Sequence, residues 1–335
     1  MRFRKLGNTE MTVSVLGLGG LHFGTYLDRI QTRDLVRRAF DSGINFIDTA
    51  PLYGNFHSET YIGDAVSGIR DKVILTTKVG LEPIRRQDGM FGVTVAHLTP
   101  AYIRSKIDES LHQLKTDYID LYQLHAFNPE TDIIETLSVL AEMMTEGKIR
   151  HYGCSNYSPQ ELDILISVAT CNGLPLPAIA QCHYNMVERR AERELMPLCI
   201  RHGIGVVCNR VLARGVLTGR YNRHSLIPAG SRAESSQRIR NWISDSCDLM
   251  LVEELQNYAK SQRRTLVELA IAWAKSRPAV TTVLFGVRSH VQLDDCMRAA
   301  TWALDDDQIR EIEYIFDRMQ LREFVEKKPE VYFEQ

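Results

Sequence analysis

The feature that most constrains the fold of this chain is a repeated alternation of short apolar runs with longer amphipathic segments. The runs are rich in β-branched residues and have the length of β-strands. Most of them are apolar on both faces, which is typical of parallel strands covered by helices. The eight runs are VSVLGLGG (13–20), INFIDTA (44–50), KVILTTKVG (72–80), YIDLYQLHA (118–126), IRHYGCSN (149–156), AIAQCHYN (178–185), GIGVVCNR (203–210) and TTVLFGV (281–287).

The segments between these runs carry helix start and stop signals. One begins with Thr99 and Pro100, the residue types preferred at the N-cap and the first helical position. Another begins with Ser158 and has Glu161 three residues later, which is a capping box. A third ends at Gly203, a C-cap residue type. Strands and helices therefore alternate along the chain.

Eight strand–helix units without a glycine-rich Rossmann fingerprint favour a closed barrel over an open doubly wound sheet. The predicted fold class is α/β, a (β/α)8 TIM barrel that forms a single domain over residues 1–335. The segment RFRKLGNTEMTVS (2–14) contains a Gly7-Asn8 turn and predicts an N-terminal β-hairpin at the barrel floor. Two irregular stretches, Leu81–Leu98 and Tyr221–Trp242, predict long loops at the C-terminal face, where barrel active sites are built.

The charge balance argues against polyanionic partners. The chain has 40 basic and 42 acidic residues, for a formal net charge of −2. We therefore expect no nucleic-acid and no membrane-surface partner. No apolar run approaches the roughly 20 residues of a membrane helix, and the N-terminus lacks the apolar stretch of a secretory signal. A cytoplasmic location is the expectation.

The cysteines do not predict a disulfide framework or a metal site. There are 7 of them, an odd number, and none forms a CxxC pair. Cys154, Cys182 and Cys208 fall near three successive strand ends but lack the paired spacing of zinc ligands. We expect small buried thiols and no metal.

Four polar residues stand out against the apolar runs. Asp48, Lys78 and His125 lie at the ends of the second, third and fourth runs, and Tyr53 follows Asp48 by five residues. The carboxyl ends of all barrel strands point to one mouth, and neighbouring strands are about 4.8 Å apart. The four side chains can therefore meet.

Together these four groups predict a proton donor. A phenol has a reference pKa of about 10 and is a poor acid at neutral pH. A nearby lysine cation favours the phenolate, so we expect Lys78 to lower the pKa of Tyr53. Asp48 would hold the lysine charged, and His125 would orient a substrate oxygen.

An ordered series of motifs resembles the aldo-keto reductase family, from about Arg4 to Ile315. The motifs are FRKLG, VSVLGLGGLHFG, GINFIDTAPLYG, TTKVG, LHQLKTDYIDLYQLH, GKIRHYGCSNYS, QCHYNMVER and ARGVLTGRY. The resemblance implies an oxidoreductase that uses NADP(H) to reduce an aldehyde or ketone to an alcohol, or to catalyse the reverse reaction. It also implies that Tyr53 is the general acid, that Lys78 and Asp48 tune it, and that His125 orients the carbonyl.

The same resemblance implies a cofactor site. Ser155, Asn156 and Gln181 match positions that bind the nicotinamide carboxamide, and the stretch 212–219 matches the loop along the pyrophosphate, where glycines allow close approach. Arg288 matches the adenosine end, where an arginine pairs with a 2′-phosphate and favours NADP(H) over NAD(H). The cofactor-binding residues implied in this way are Ser155, Asn156, Gln181, Asn209, Leu212, Arg214, Gly215, Leu217, Gly219, Gly286, Arg288 and Gln292.

Two positions depart from the family pattern. Family members usually carry an aromatic side chain under the nicotinamide, where this chain has Asn209, followed by Arg210 and Val211. Asparagine supplies no ring platform, so an altered cofactor affinity is expected. Cys296 also replaces a common asparagine near the adenine.

The predicted substrate is a small-molecule carbonyl or alcohol. Residues on loops near the predicted mouth are candidates for its pocket, namely His22, Phe23, Tyr26, Phe56, His57 and Trp242. Two alternatives stay open. The chain could hold NADP tightly for a redox-neutral epimerisation or elimination, or it could be a cofactor-sensing regulatory subunit like the barrel subunits of certain potassium channels.

Overall fold

The computed structural model describes residues 1–85, 91–221, 227–228, 231–237, 239–240 and 246–319. The strands are β1 (Phe3–Lys5), β2 (Thr12–Ser14), β3 (Leu16–Gly19), β4 (Phe46–Asp48), β5 (Ile74–Val79), β6 (Leu81–Arg85), β7 (Phe91–Val95), β8 (Ile119–Leu124), β9 (Ile149–Ser155), β10 (Ile179–His183), β11 (Gly205–Asn209) and β12 (Val280–Phe285). The helices are α1 (Arg29–Asp41), α2 (Ser58–Val66), α3 (Pro100–Leu114), α4 (Ile133–Thr145), α5 (Pro159–Cys171), α6 (Leu195–His202), α7 (Arg232–Ser235), α8 (Ser246–Ser261), α9 (Leu266–Ser276), α10 (His290–Thr301) and α11 (Asp306–Arg318).

Eight of the strands close into a barrel. The order around the barrel is β3-β4-β5-β8-β9-β10-β11-β12, and β12 pairs with β3 to complete the ring. Every pair in the ring is parallel. Seven of the eight barrel strands fall within one of the apolar runs, and β12 begins one residue before its run, so the prediction of a TIM barrel is confirmed. All eight carboxyl ends therefore lie on one face, which brings the residues at those ends together.

The capping signals in the sequence act as predicted. The Thr99 side chain accepts a hydrogen bond from the Tyr102 backbone N–H at the start of α3. Ser158 and Glu161 form a reciprocal capping box at the start of α5. Gly203 ends α6 with φ of 64°, in the left-handed region. Within the described residues, no helix is both long and apolar enough to cross a bilayer.

The predicted N-terminal hairpin is present. β1 and β2 pair in antiparallel fashion from Phe3↔Ser14 to Lys5↔Thr12. Leu6 and Val13 are fully buried and pack in one cluster with residues of the barrel strands, including Phe46 and Val207. The hairpin thus covers the barrel floor and leaves the opposite face open.

The segment predicted as an irregular loop at Leu81–Leu98 contains a second hairpin. β6 and β7 pair from Leu81↔Val95 to Arg85↔Phe91. The strand content was missed because Pro83 and the flanking charges gave β6 the composition of a loop. Residues 86–90 lie outside the described residues, as do 222–226, 229–230, 238 and 241–242 of the stretch 221–242. The predicted single domain over residues 1–335 and the predicted cytoplasmic location stay predictions.

Candidate active site

The structure brings the four polar residues together at the open face of the barrel. Asp48 ends β4, Lys78 lies near the end of β5, and His125 directly follows β8. Tyr53 lies in the turn between β4 and α2, where its backbone N–H donates to Ala50 O at 3.0 Å. This turn carries the phenol back over the strand ends.

Lys78 is the centre of the group. Its side chain is 0% exposed. Its Nζ donates to Asp48 Oδ1 at 2.8 Å, to Asp48 Oδ2 at 2.7 Å and to Thr49 O at 2.8 Å. The ammonium also hydrogen-bonds the Tyr53 hydroxyl and lies 4.8 Å from the centroid of that ring. The buried cation is therefore compensated by a carboxylate on one side and contacts the phenol on the other.

His125 completes the group on the other side of the phenol. The Tyr53 and His125 rings meet edge to face with centroids 6.0 Å apart. Burial, with a contribution from the Lys78 cation, holds the pKa of His125 well below its usual value. The imidazole is therefore neutral at physiological pH and can donate a hydrogen bond from one ring nitrogen.

Lys78 acts to lower the pKa of Tyr53, as expected, but the net shift of that pKa is upward. Burial raises the pKa of the phenol, and the Lys78 cation opposes this shift without overcoming it. Burial also acts to lower the pKa of Lys78, but Asp48 and Tyr53 outweigh it and raise that pKa. At neutral pH the phenol is therefore protonated and the lysine charged, which is the state that a proton donor requires.

Asp48 is further held by two amides. Gln123 Nε2 donates to Asp48 Oδ1 at 3.1 Å, and Gln181 Nε2 donates to the same oxygen at 3.0 Å. Gln123 is fully buried within β8. Our sequence reasoning missed Gln123, although an amide inside the otherwise apolar run YIDLYQLHA is a usable signal.

A cavity of about 650 Å³ opens next to this group. Tyr53 and His125 form part of its wall, and Lys78 lies behind them. The residues implied for cofactor or substrate binding that line this cavity are His22, Ser155, Asn156, Gln181, Asn209, Leu212, Arg214, Gly215, Gly286, Arg288 and Gln292. The cavity therefore joins the proton-donor group to most of the expected cofactor residues.

One end of the cavity carries a cluster of amides. Ser155 and Gln181 are Cα partners on β9 and β10, and Ser155 Oγ donates to Gln181 Oε1 at 3.2 Å. Asn156 has φ of 59°, and its Nδ2 donates to His125 O at 2.9 Å. These contacts place three hydrogen-bonding side chains beside the proton-donor group.

The wall of the cavity is rich in positive charge. Four of its lining residues are arginines: Arg210, Arg214, Arg220 and Arg288. Two acidic residues, Asp48 and Asp295, also line it. Asp295 forms an ion pair with Arg298 at 2.5 Å. Such a lining attracts a polyanion.

Gly215 gives backbone access to the same space. It lines the cavity with φ of 101°, and a Cβ at this position would meet nothing within 4 Å. An amide cluster, an arginine-rich wall and open space at a glycine fit a nicotinamide dinucleotide, which has an amide at one end and phosphates beyond it.

A comparison with known protein families agrees with this geometry. Residues 15–317 match the model described as the aldo/keto reductase family. The chain belongs to the aldo/keto reductase family. It is accordingly an oxidoreductase of the type that reduces carbonyl groups.

Relatives in this family match nearly the whole chain. Aldo-keto reductase YhdN of Bacillus subtilis (strain 168) is 30% identical over 329 residues, which cover 95% of this chain and 94% of that protein. The NADH-specific methylglyoxal reductase of Escherichia coli (strain K12) is 31% identical over 316 residues, 90% of this chain and 94% of that protein. The structure of the glycerol dehydrogenase AKR11B4 from Gluconobacter oxydans superposes with a TM-score of 0.81 at 28% identity and covers 95% of both chains.

Two of the cofactor-binding residues that the family resemblance implies for this aldo/keto reductase do not line the cavity. Leu217 is fully buried in the hydrophobic core. Gly219 has φ of 72°, and a Cβ there would approach the Gln256 side chain. Both belong to the loop along the cavity, where they shape the backbone rather than face the open space.

Most of the loop residues that were candidates for the substrate pocket do not line the cavity either. Phe23 is fully buried in the core, and His57 stacks on Tyr61 with ring centroids 5.6 Å apart. Phe56 is 56% exposed and does not line the cavity. Trp242 lies outside the described residues. The reason is common to these loops, since a side chain's direction there depends on turns that composition does not reveal.

Tyr26 has a different placement from the one expected. Its ring lies under the Arg288 guanidinium, 3.4 Å from the ring centroid to Cζ, and it meets the His22 ring edge to face at 5.3 Å. Tyr26 therefore supports the arginine at the expected adenosine end. Cavity residues that our sequence reasoning did not single out are Gly19, Leu21, His183, Thr218, Arg220, Tyr221, Val267, Leu284, Phe285, Val287 and Asp295.

Proposed function

We propose that this chain catalyses the reduction of an aldehyde or ketone to an alcohol, and the reverse oxidation, with Tyr53 as the proton donor. A nicotinamide cofactor bound in the cavity supplies the hydride. The observation that carries the proposal is the position of Tyr53, whose phenol forms the cavity wall beside neutral His125 and hydrogen-bonds the buried Lys78 ammonium. No metal is needed for this chemistry.

Each residue of the group has a distinct task. Tyr53 donates its proton to the substrate oxygen as negative charge develops there. His125 donates a hydrogen bond to the same oxygen and so orients the carbonyl. Lys78 stabilises the phenolate that remains on Tyr53, and Asp48 keeps the lysine charged in its buried position.

The pKa directions give a pH dependence that differs between the two reaction directions. Burial raises the pKa of Tyr53, so the donor stays protonated and the kcat of carbonyl reduction is expected to be flat between about pH 6 and 9. Alcohol oxidation needs the phenolate, so its kcat is expected to rise with pH over the same range. Initial rates in both directions measure this. A reduction rate that falls with a midpoint near the ordinary histidine pKa of about 6.5 would assign the proton to a histidine instead.

We further propose that the cofactor is NADP(H). Arg288 lines the cavity and is held against Tyr26, together with Gln292, whose Oε1 accepts from the Arg288 backbone N–H at 2.7 Å. A guanidinium in this position suits a 2′-phosphate. Because a relative is described as NADH-specific, the choice between the two cofactors needs a direct test.

Arg288→Ala is expected to weaken NADPH binding about tenfold or more and to leave NADH binding within about twofold, since a charge-assisted hydrogen bond contributes about 1.5–3 kcal/mol. Fluorescence titration with each nucleotide measures both affinities. Arg310→Ala is the matched control, because Arg310 pairs with Asp307 on the surface helix α11. An unchanged ratio of NADPH to NADH affinity in Arg288→Ala would overturn the assignment of the phosphate site.

One alternative function has support from a specific feature of the site. Asn209 occupies the cavity wall with hydrogen bonds to Gln181 and His183 in place of an aromatic platform, so a tightly held cofactor with a redox-neutral role is the second candidate. Purified protein carrying stoichiometric NADP, which turns over a substrate without net consumption of NADPH, would favour it over net carbonyl reduction.

A further inference from the structure

We propose that His183 and Asn209 are positioning residues which fix the orientation of the Gln181 amide through a directional chain of hydrogen bonds ending on Asp48. The role of Gln181 in holding the cofactor amide rests on the proposed function. The chain of hydrogen bonds does not depend on it and can be tested separately.

The chain runs along neighbouring strand ends. His183 and Asn209 are Cα partners on β10 and β11, and His183 Nδ1 lies 2.5 Å from Asn209 Oδ1. Asn209 Nδ2 donates to Gln181 Oε1 at 3.3 Å. Gln181 Nε2 donates to Asp48 Oδ1 at 3.0 Å. All four side chains line the cavity.

The carboxylate at the end fixes the direction of every link. Ionised Asp48 only accepts hydrogen bonds, and it is held in place by the Lys78 ammonium at 2.7 Å. Gln181 must therefore turn its Nε2 toward Asp48, which leaves Oε1 facing Asn209. Reversing this amide would place two oxygens against each other in a buried site, an arrangement that leaves a polar atom unsatisfied.

The orientation of Gln181 in turn fixes the orientation of Asn209. Because Gln181 Oε1 is an acceptor, Asn209 must present Nδ2 to it and Oδ1 to His183. The histidine nitrogen that faces Oδ1 must then carry a proton. His183 is thus restricted to the neutral tautomer with hydrogen on Nδ1 or to the imidazolium, and the neutral tautomer with hydrogen on Nε2 is excluded. Hydrogen bonds aligned in one direction also polarise and strengthen one another.

In this arrangement Asn209 makes two hydrogen bonds at the position where family members usually carry an aromatic side chain. Gln181 Oε1 already accepts from Ser155 Oγ at 3.2 Å, and the link from Asn209 locks the amide plane from a second side. A cofactor amide entering the cavity then meets a side chain whose amide plane is already fixed, which reduces the entropic cost of ordering the site. An aromatic residue at position 209 could not make either link.

The tautomer of His183 is a direct readout. In the protein without cofactor, 15N NMR of labelled histidine, measured where the ring is neutral, is expected to show hydrogen on Nδ1. The resonance is assigned by its loss in His183→Gln. In Asn209→Leu the acceptor is removed, and the preference for Nδ1–H is expected to weaken. A neutral His183 with its proton on Nε2 in the unsubstituted protein would overturn the proposal.

A matched pair of substitutions tests the effect on binding. Gln and Glu have the same size, but at position 183 Gln can donate to Asn209 Oδ1, whereas an ionised Glu can only accept. The Kd for NADPH, measured by fluorescence without substrate, is expected to stay within about threefold in His183→Gln and to rise about tenfold in His183→Glu, a difference of about 1.4 kcal/mol. Equal Kd values in the two variants would contradict the positioning role.

The two readouts separate this inference from the proposed function. If the unsubstituted protein reduces no carbonyl compound but shows the Nδ1–H tautomer, the proposed function fails and the chain of hydrogen bonds stands. If it reduces carbonyls but His183 shows the Nε2–H tautomer, the proposed function stands and the chain of hydrogen bonds fails. Thermal unfolding of both variants checks that they fold. If His183→Glu does not fold, the NMR result on the unsubstituted protein still tests the chain of hydrogen bonds.

Discussion

Tyr53→Phe is expected to lower the rate of hydride transfer by about 100-fold or more while leaving the affinity for NADPH within about twofold. The substitution removes only the hydroxyl. The phenyl ring can keep its contacts with the Lys78 ammonium and the His125 ring, so the shape of the cavity wall is retained. Single-turnover oxidation of bound NADPH by an aldehyde measures the chemical step without interference from product release.

Tyr61→Phe is the matched control for this experiment. Tyr61 lies on α2 and stacks on His57, outside the cavity, so the loss of its hydroxyl is expected to leave hydride transfer unchanged. If Tyr53→Phe transfers hydride as fast as the unsubstituted enzyme, the proton comes from another group and the assignment of Tyr53 is wrong. A parallel loss in Tyr61→Phe would point to a general structural effect.

Lys78→Met is expected to have the second large effect, on both stability and rate. The lysine is fully buried and Asp48 is 3% exposed, so removal of the cation leaves a buried carboxylate without its charge partner. Breaking a buried ion pair in this way costs about 3–5 kcal/mol of unfolding free energy. Hydride transfer is expected to fall as well, because the cation that contributes most to stabilising the phenolate on Tyr53 is then lost. Urea unfolding and single-turnover kinetics measure the two effects.

The double substitution Lys78→Met with Asp48→Asn separates these effects. Replacing both partners by uncharged groups of similar size removes the stranded carboxylate, so most of the lost stability is expected to return. Activity is expected to stay low, since the phenolate still lacks the Lys78 ammonium that hydrogen-bonds it. A double variant that regains full turnover would show that Lys78 acts only in folding. A single variant as stable as the unsubstituted protein would show that the buried pair contributes nothing.

The barrel itself was predictable because each of its strands is a continuous apolar run between helical segments. The period of the pattern and the C-cap at Gly203 carry that information locally. The hairpin β6–β7 was not predictable in the same way. It directly follows β5 at the open face, and Pro83 and its charged neighbours hide the alternation of its strands.

The site was predictable where a polar side chain lies at the end of an apolar run, as Asp48, Lys78 and His125 do. The sign of the Tyr53 pKa shift was not, because burial depends on how the turn at 49–57 folds back over the barrel. His183 was missed for a related reason. Its meaning depends on its pairing with Asn209 across two strands that are 26 residues apart in sequence, and register is a property of the closed sheet.

The proposed reaction requires one arrangement, in which a nicotinamide ring lies between the amide cluster and the Tyr53 phenol. A crystal structure with NADP(H) bound tests it most directly. The expected result is a nicotinamide beside Tyr53 and His125, with its carboxamide on Ser155, Asn156 and Gln181, and an adenosine end at Arg288. A nucleotide whose nicotinamide lies away from Tyr53, or binding outside this cavity, would contradict the account.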